Sequence, residues 1–174
     1  MLCSQGRSGR LLRLAWETAE KPNSVWVSDI TYIFTRAGWL YLTVIIDLFN
    51  RMVVDWSISS GMSAAETTIA ALNHAYGRFH PTDRLIFHSD RGIRYTCKDF
   101  KEQLAKYKMI QSISAIGDCR DNAVSENFFA TLKKEEAYRY KYQNRRQARQ
   151  SIFSITASGN ILILAICLRC NSRP

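Results

Sequence analysis

No cysteine framework runs through this chain. Its five cysteines (Cys3, Cys97, Cys119, Cys167 and Cys170) are odd in number and scattered. That argues against a disulfide-stapled secreted scaffold and fits reduced thiols in a cytoplasm. Cys167 and Cys170 form one CxxC pair without a second. A structural zinc site needs four ligands, so the spacing reads as chance. Long hydrophobic runs are also missing. Ile161 to Leu168 is apolar throughout, but a bilayer span needs about 20 such residues. The stretch near the start is broken by Arg7, Arg10, Arg13 and Glu17, which excludes a secretory signal. There is no internal repeat and no low-complexity block. Acidic residues are few: 15 against 24 Lys and Arg, giving a formal net charge of +9. Such a balance suits a polyanionic partner such as nucleic acid, and a generic basic protein is the alternative.

What is present is a globular composition. With 174 residues, 47% of them hydrophobic, the chain forms one domain with a substantial core. Val25 to Phe34 is β-branched and aromatic and predicts a strand. Alternation puts Val25, Val27, Asp29, Thr31 and Ile33 on one face. Asp29 is the odd member of that face, either a structural aspartate bonded to a loop or a functional carboxylate. Trp39 to Ile46 and Met52 to Ser59 follow as the next two strands of a meander. Asp47, at a strand-to-turn boundary, reads as a turn residue with Arg51 as partner. Ser63 is expected to cap a helix to about Phe79, with Ala65, Ile69, Leu72 and Tyr76 on its sheet-facing side. His74 and His80 read as surface residues.

Arg84 to His88 predicts a fourth strand, added in parallel because a crossover helix precedes it. Asp90 then lies at its C-terminal end, where α/β sheets place ligands. His88 shares its side, either as a partner of Asp90 or as a core histidine bonded to a backbone group. Thr96 is expected to cap a second helix to about Tyr107, with Phe100 and Leu104 inward. Met109 to Ser114 predicts a fifth strand. Asp121 and Asn122 are expected to cap a third helix carrying Glu126 in its first turns and Lys133 two turns on, on the same face. The order of elements is a ribonuclease H-like α/β pattern. It is a mixed five-stranded sheet, an antiparallel three-strand meander plus two parallel strands, flanked by helices. The first and fourth strands would be neighbours, so Asp29 and Asp90 would face each other.

The residues also resemble a family. Asn23 to Ile33 (NSVWVSDITYI), Gly38-Trp39-Leu40-Tyr41-Leu42 and Ile46 to Arg51 (IDLFNR) resemble motifs of bacterial insertion-sequence transposases with a retroviral-integrase-like (DDE) core. So do His88-Ser89-Asp90-Arg91-Gly92 with Tyr95-Thr96, then Gly117, Asp121-Asn122-Ala123, Glu126 to Phe129 and Leu132 to Glu135. The 35 residues between Asp90 and Glu126 are the spacing of that family. The resemblance covers residues 22 to 150. It implies that Asp29, Asp90 and Glu126 are the catalytic triad and hold two Mg²⁺ or Mn²⁺ ions for DNA strand cleavage and strand transfer. It also implies that Lys133, Lys134, Arg94 and Arg120 contact DNA, with a solvated helix face as the alternative for Lys133. The expected partners are DNA (element ends and target), further copies of the chain on that DNA, and a separate helix-turn-helix protein from an upstream frame. No membrane is involved. The expected location is the bacterial cytoplasm, on the nucleoid.

Three departures qualify the resemblance. Ala115-Ile116 stands where the family has a basic pair, and Arg94 and Arg120 replace a glutamine and an aromatic. Residues 1 to 21 form a leader too short for the helix-turn-helix segments that usually precede this core. After Ser154 the family continues with a tyrosine-rich basic helix, whereas residues 151 to 174 read as an aberrant tail. A frameshift in a decaying, truncated copy is the simplest account of it, and a hydrophobic helix docked on the core is the alternative. The rivals to a working enzyme are a non-catalytic DNA-binding remnant and a nuclease acting on RNA–DNA hybrids. The Asp-Asn-Ala motif and the 35-residue spacing argue against the nuclease.

Overall fold

β-Branched and aromatic residues favour extended backbone, and the chain opens on β1 (Val25–Thr35), β2 (Gly38–Asp47) and β3 (Val53–Ser59). The structure, a computed structural model, describes residue 19 and residues 21–81, 84–114, 123–133 and 141–157. A π-helical turn (Ala65–Ile69) leads into α1 (Ala70–Phe79). Then follow β4 (Ile86–Ser89), α2 (Ile93–Thr96), α3 (Lys98–Lys106), β5 (Ile110–Ile113), α4 (Ala123–Leu132) and α5 (Arg145–Ala157). The sheet order is β3-β2-β1-β4-β5. β1 and β2 are antiparallel, as are β2 and β3, while β4 pairs in parallel with both β1 and β5. The expected mixed sheet is therefore present.

Alternation along β1 feeds two cores. Val25, Val27 and Ile33 pack with Phe128 and Leu132 of α4 and Ala148 and Ile152 of α5. Trp26 faces the other way, into Leu72 and Ala75 of α1 and Phe100 and Leu104 of α3. Helices thus cover both faces, and fully burying one such side chain contributes about 1.5–3 kcal/mol. Ile152 is buried in the first core, so the boundary expected between residues 150 and 151 falls inside α5.

The β1–β2 connection is a two-residue turn, with Thr35 paired to Gly38. Gly38 has φ +109°, and a Cβ there would meet the Arg145 guanidinium at 2.7 Å. Gly38→Ala is expected to cost about 1–2 kcal/mol of stability, since an L-residue is strained in left-handed backbone. A urea titration checks this; an unchanged midpoint would show that the turn relaxes freely.

Two helix starts differ from the reading of the sequence. Ser63 does engage the next helix: its Oγ accepts from Glu66 N–H (3.3 Å) and donates to Glu66 Oε2 (2.7 Å). But the first turn that follows is a wider π-turn, which changes the residues facing inward there. Of the four expected sheet-facing residues Ala65 is exposed, whereas Leu72 is buried and Ile69 and Tyr76 are half-buried against the core; Thr67, Thr68, Ala71 and Ala75 are buried beside them. The two threonine hydroxyls donate to the carbonyls of Ser63 (2.7 Å) and Ala64 (3.3 Å). Thr96 does not cap the second helix. It ends the single turn α2, its Oγ donating back to Gly92 O, and Cys97 takes the extended cap position before α3. His74 and His80 are exposed, as expected.

Candidate functional site

The parallel register of β1 and β4 runs from Val25 opposite Ile86 to Ser28 opposite Ser89. The residues that follow are Asp29, still within β1, and Asp90, just past the end of β4, so their backbones leave the β1–β4 ladder side by side. Adjacent strands lie about 4.8 Å apart. Asp29 continues the side of β1 that carries Val25 and Val27, and Asp90 continues the side of β4 that carries Ile86; all three apolar residues belong to the core beneath α4. Glu126 lies in α4 itself, two residues before the buried Phe128. The topology thus brings the backbones of Asp29, Asp90 and Glu126 to one face of the sheet. The Glu126 side chain lies outside the described residues, as do Arg120, Asp121, Asn122 and Lys134. Among the described residues no three His, Cys, Asp or Glu side chains form a metal-ligand group.

Local bonds fix the two aspartates, both of which are half-buried. Asp29 Oδ1 accepts from Ile30 N–H at 2.7 Å, and Asp90 Oδ1 accepts from Gly92 N–H at 2.9 Å. A Cβ on Gly92 would sit 2.9 Å from that same Asp90 oxygen, so glycine there lets the loop close onto the carboxylate.

Behind the pair lies Tyr95, which the sequence reading quoted only as part of a motif. It is buried, and its hydroxyl is 2.8 Å from Ser28 Oγ. Burial holds its phenol well above the usual range; the Ser28 bond opposes this, and the charges of Asp29 and Asp90 add to it. Tyr95 therefore stays neutral beside both carboxylates and ties α2 to β1. A buried tyrosine normally finds a hydroxyl partner, but Ser28 could not be named without the fold.

His88 corrects both options offered by the sequence. It bonds neither Asp90 nor a backbone group. Its Nδ1 lies 3.0 Å from Ser112 Oγ and its Nε2 3.1 Å from Ser114 Oγ, both presented by the β5 segment. Burial lowers its pKa to about 4, so the ring is neutral and bridges two strands beside the site. Arg91 Nε donates to Ser114 O at 2.8 Å, which fastens the loop after Asp90 to the same segment. Asp47 is buried and accepts from the N–H groups of Asn23 and Phe49, the turn role expected of it. Arg51 joins through its backbone N–H, which donates to Asp47 O at 2.9 Å.

Arg94 is half-buried. Its Nε donates to Met62 O at 2.8 Å and its guanidinium carbon lies 5.9 Å from the Tyr41 ring centre. Part of its bonding capacity is thus spent within the chain. Lys133 is half-buried and directly follows α4.

Residues 19–119 match the integrase core domain family, and the chain belongs to that family. It is 40% identical over 136 residues to Transposase InsF for insertion sequence IS3A of Escherichia coli strain K12, covering 78% of this chain and 47% of that protein. It is 41% identical over 135 residues to the transposase for insertion sequence element IS904 of Lactococcus lactis, covering 78% of this chain and 53% of that one. The chain spans about half the length of the curated relatives it matches. The resemblance to bacterial insertion-sequence transposases is thereby borne out. Among solved structures, the Mos1 transposase catalytic domain with Raltegravir and Mn superposes with a TM-score of 0.68 at 15% identity, over 90% of this chain and 84% of that one. A chain of the simian T-cell lymphotropic virus intasome gives 0.59 at 20% identity, over 65% and 39%. These likenesses show the fold, which is ribonuclease H-like.

Proposed function

We propose that this chain is the catalytic core of an insertion-sequence transposase, cutting and joining DNA strands with divalent metal ions. The observation that carries this reading is the register that sets Asp29 beside Asp90 under the helix that carries Glu126. The donor chemistry fits. Half-buried carboxylate oxygens, with their orientation held by neighbouring N–H groups, suit hard cations such as Mg²⁺ or Mn²⁺. When bound, two such ions activate the attacking oxygen and stabilise the leaving oxygen of an in-line displacement at phosphorus. The residues of the chain supply the rest. Gly92 and Ile30 N–H groups hold the carboxylates, and Tyr95 with Ser28 braces the strand behind them. Water and then a DNA 3′-hydroxyl serve as nucleophiles, with no covalent protein–DNA intermediate.

The catalytic core is assigned to residues 22–150, with the remainder of α5 completing its packing. Lys133, Lys134, Arg94 and Arg120 are assigned to DNA, which the chain engages as an oligomer, with a helix-turn-helix protein from an upstream frame as a further partner. Among the described residues no helix is long and apolar enough to cross a membrane; the proposed place of action is the bacterial nucleoid.

The test is nicking of duplex DNA carrying the element's ends. Mn²⁺-dependent nicking that stops on chelation is expected, and nicking that continues in chelator would contradict the reading. Binding to the same duplex should weaken with salt at a log–log slope of about −0.9 per phosphate contact. Lys133→Ala is expected to flatten that slope by about one contact; an unchanged slope would return Lys133 to a solvated helix face.

A further inference from the structure

The helix layer on the Trp26 side of the sheet stops short of the β1–β2 hairpin tip. What it leaves uncovered is aromatic. Phe34 is 61% exposed, Trp39 49% and Tyr32 46%, far more than such large rings usually show. They form a continuous ladder with half-buried Tyr41. Phe34 lies 5.0 Å from Trp39, Trp39 6.5 Å from Tyr32, and Tyr32 5.5 Å from Tyr41, centre to centre, each pair edge to face. Edge-to-face packing within the ladder leaves ring faces open to a further partner.

The hairpin itself carries charge of one sign. Arg36 is exposed in the turn and Arg94 sits over the Tyr41 ring. No Asp or Glu occurs from Ile30 to Leu42. The ladder lies on the face of the sheet opposite Asp29 and Asp90, and the two meet only round the sheet edge that opens where β4 stops pairing. β4 stops pairing with β1 at Ser28, so past that point β1 has no β4 partner, while the hairpin's other face packs on α5 and Arg36 N–H ties its turn to Tyr142 O at 3.0 Å. The loop after Asp90 runs through Gly92 directly into Arg94, which touches Tyr41.

We propose that this hairpin tip is a stacking platform for the unpaired bases of a DNA strand that passes round the sheet edge from the Asp29–Asp90 site. Every base has a π face, and an aromatic row flanked by arginines takes a single strand with little regard to sequence. A second copy of this chain would bring the same cationic rim and meet like-charge repulsion. A polyanionic strand meets attraction instead. The proposal rests on the reading of the chain as a DNA-cutting core, but its test does not depend on cleavage.

The test measures affinity of the full chain for a short single-stranded oligothymidylate and for a blunt duplex, without metal, by fluorescence anisotropy. The variants are Phe34→Ser, Trp39→Ser and the double variant. These side chains are exposed, so thermal melting should be near wild type. Each single variant is expected to weaken single-strand binding about 5-fold or more, the low end for loss of one base–aromatic stack. Duplex affinity should stay within about twofold, because phosphate contacts carry it. Wild-type single-strand affinity in the double variant would overturn the proposal. So would sedimentation showing a wild-type dimer that Trp39→Ser dissolves, which would make the ladder a contact between copies. If the singles melt early, Phe34→Tyr and Trp39→Phe, which keep a ring, must restore binding; failure to do so would also overturn it. Loss of nicking in the aspartate variants with unchanged oligothymidylate binding keeps the two questions apart.

Discussion

Asparagine at position 29 or 90 will abolish metal-dependent strand cleavage and leave the fold standing. Each substitution keeps the size of the side chain and an oxygen that can still accept from Ile30 N–H or Gly92 N–H. What it removes is one negative charge and one anionic ligand. Carboxylates set side by side repel one another unless a cation lies between them. Without metal, therefore, Asp29→Asn and Asp90→Asn should melt at or slightly above the wild-type temperature. With Mn²⁺ the order should reverse, because only the wild type gains ligand-linked stability. Cleavage should fall about a thousandfold or more, since the bound ions supply several kcal/mol of charge stabilisation. Glu126→Gln should behave alike. Calorimetry with Mn²⁺, melting curves and a nicking assay on the same preparations decide the matter. Unchanged Mn²⁺ affinity in all three variants would sink the triad.

The site was legible to the degree that it depends on strand periodicity. Asp29 stands out because alternation places it on an otherwise mostly apolar face. Asp90 stands out because a short buried strand ends on it. The crossover through α1 makes β4 parallel to β1, and that orientation alone brings both strand exits to one edge. Glu126 needed the spacing of a resembling family, since nothing in its own helix marks it. What stayed hidden depends on phase and on distant partners. A π-turn cannot be told from an ordinary first helical turn by counting residues, so the first inward residue before α1 was set at Ala65 instead of at Thr67 and Thr68. Thr96 has the chemistry of a helix cap, but the chain closes one turn before it and reopens at Cys97. Tyr95 finds Ser28 across 67 positions, and His88 finds its serines across 24 and 26. Such pairings need the sheet register, which sequence patterns give only to within a residue or two. The exposed ladder at the hairpin tip was read simply as strand because aromatic residues favour strands whether or not anything covers them.

Acid will destabilise this chain through His88, over a window set by that residue alone. The ring is fully buried between Ser112 and Ser114, and burial lowers its folded-state pKa to about 4. In the unfolded chain a histidine titrates near 6.5. Above pH 6.5 neither state holds the extra proton, and the contribution to stability is fully present. Between pH 6.5 and about 4 the unfolded chain binds a proton that the folded chain refuses, so stability falls as pH falls. Below about 4 both states are protonated and the curve levels off. The gap of about 2.5 pH units corresponds to about 3 kcal/mol at 1.36 kcal/mol per unit. His88→Gln keeps a group that donates at one end and accepts at the other, so it can still engage one or both serine hydroxyls without titrating. It should cost about 1–3 kcal/mol at pH 7 through imperfect satisfaction of buried polar groups. In exchange, the His88 part of the fall between pH 7 and pH 4 should vanish. Urea midpoints for both proteins at pH 7, 5.5 and 4 make the comparison. A variant that loses as much stability on acidification as the wild type would place the acid sensitivity elsewhere and show that the His88 ring takes up a proton without leaving its serines.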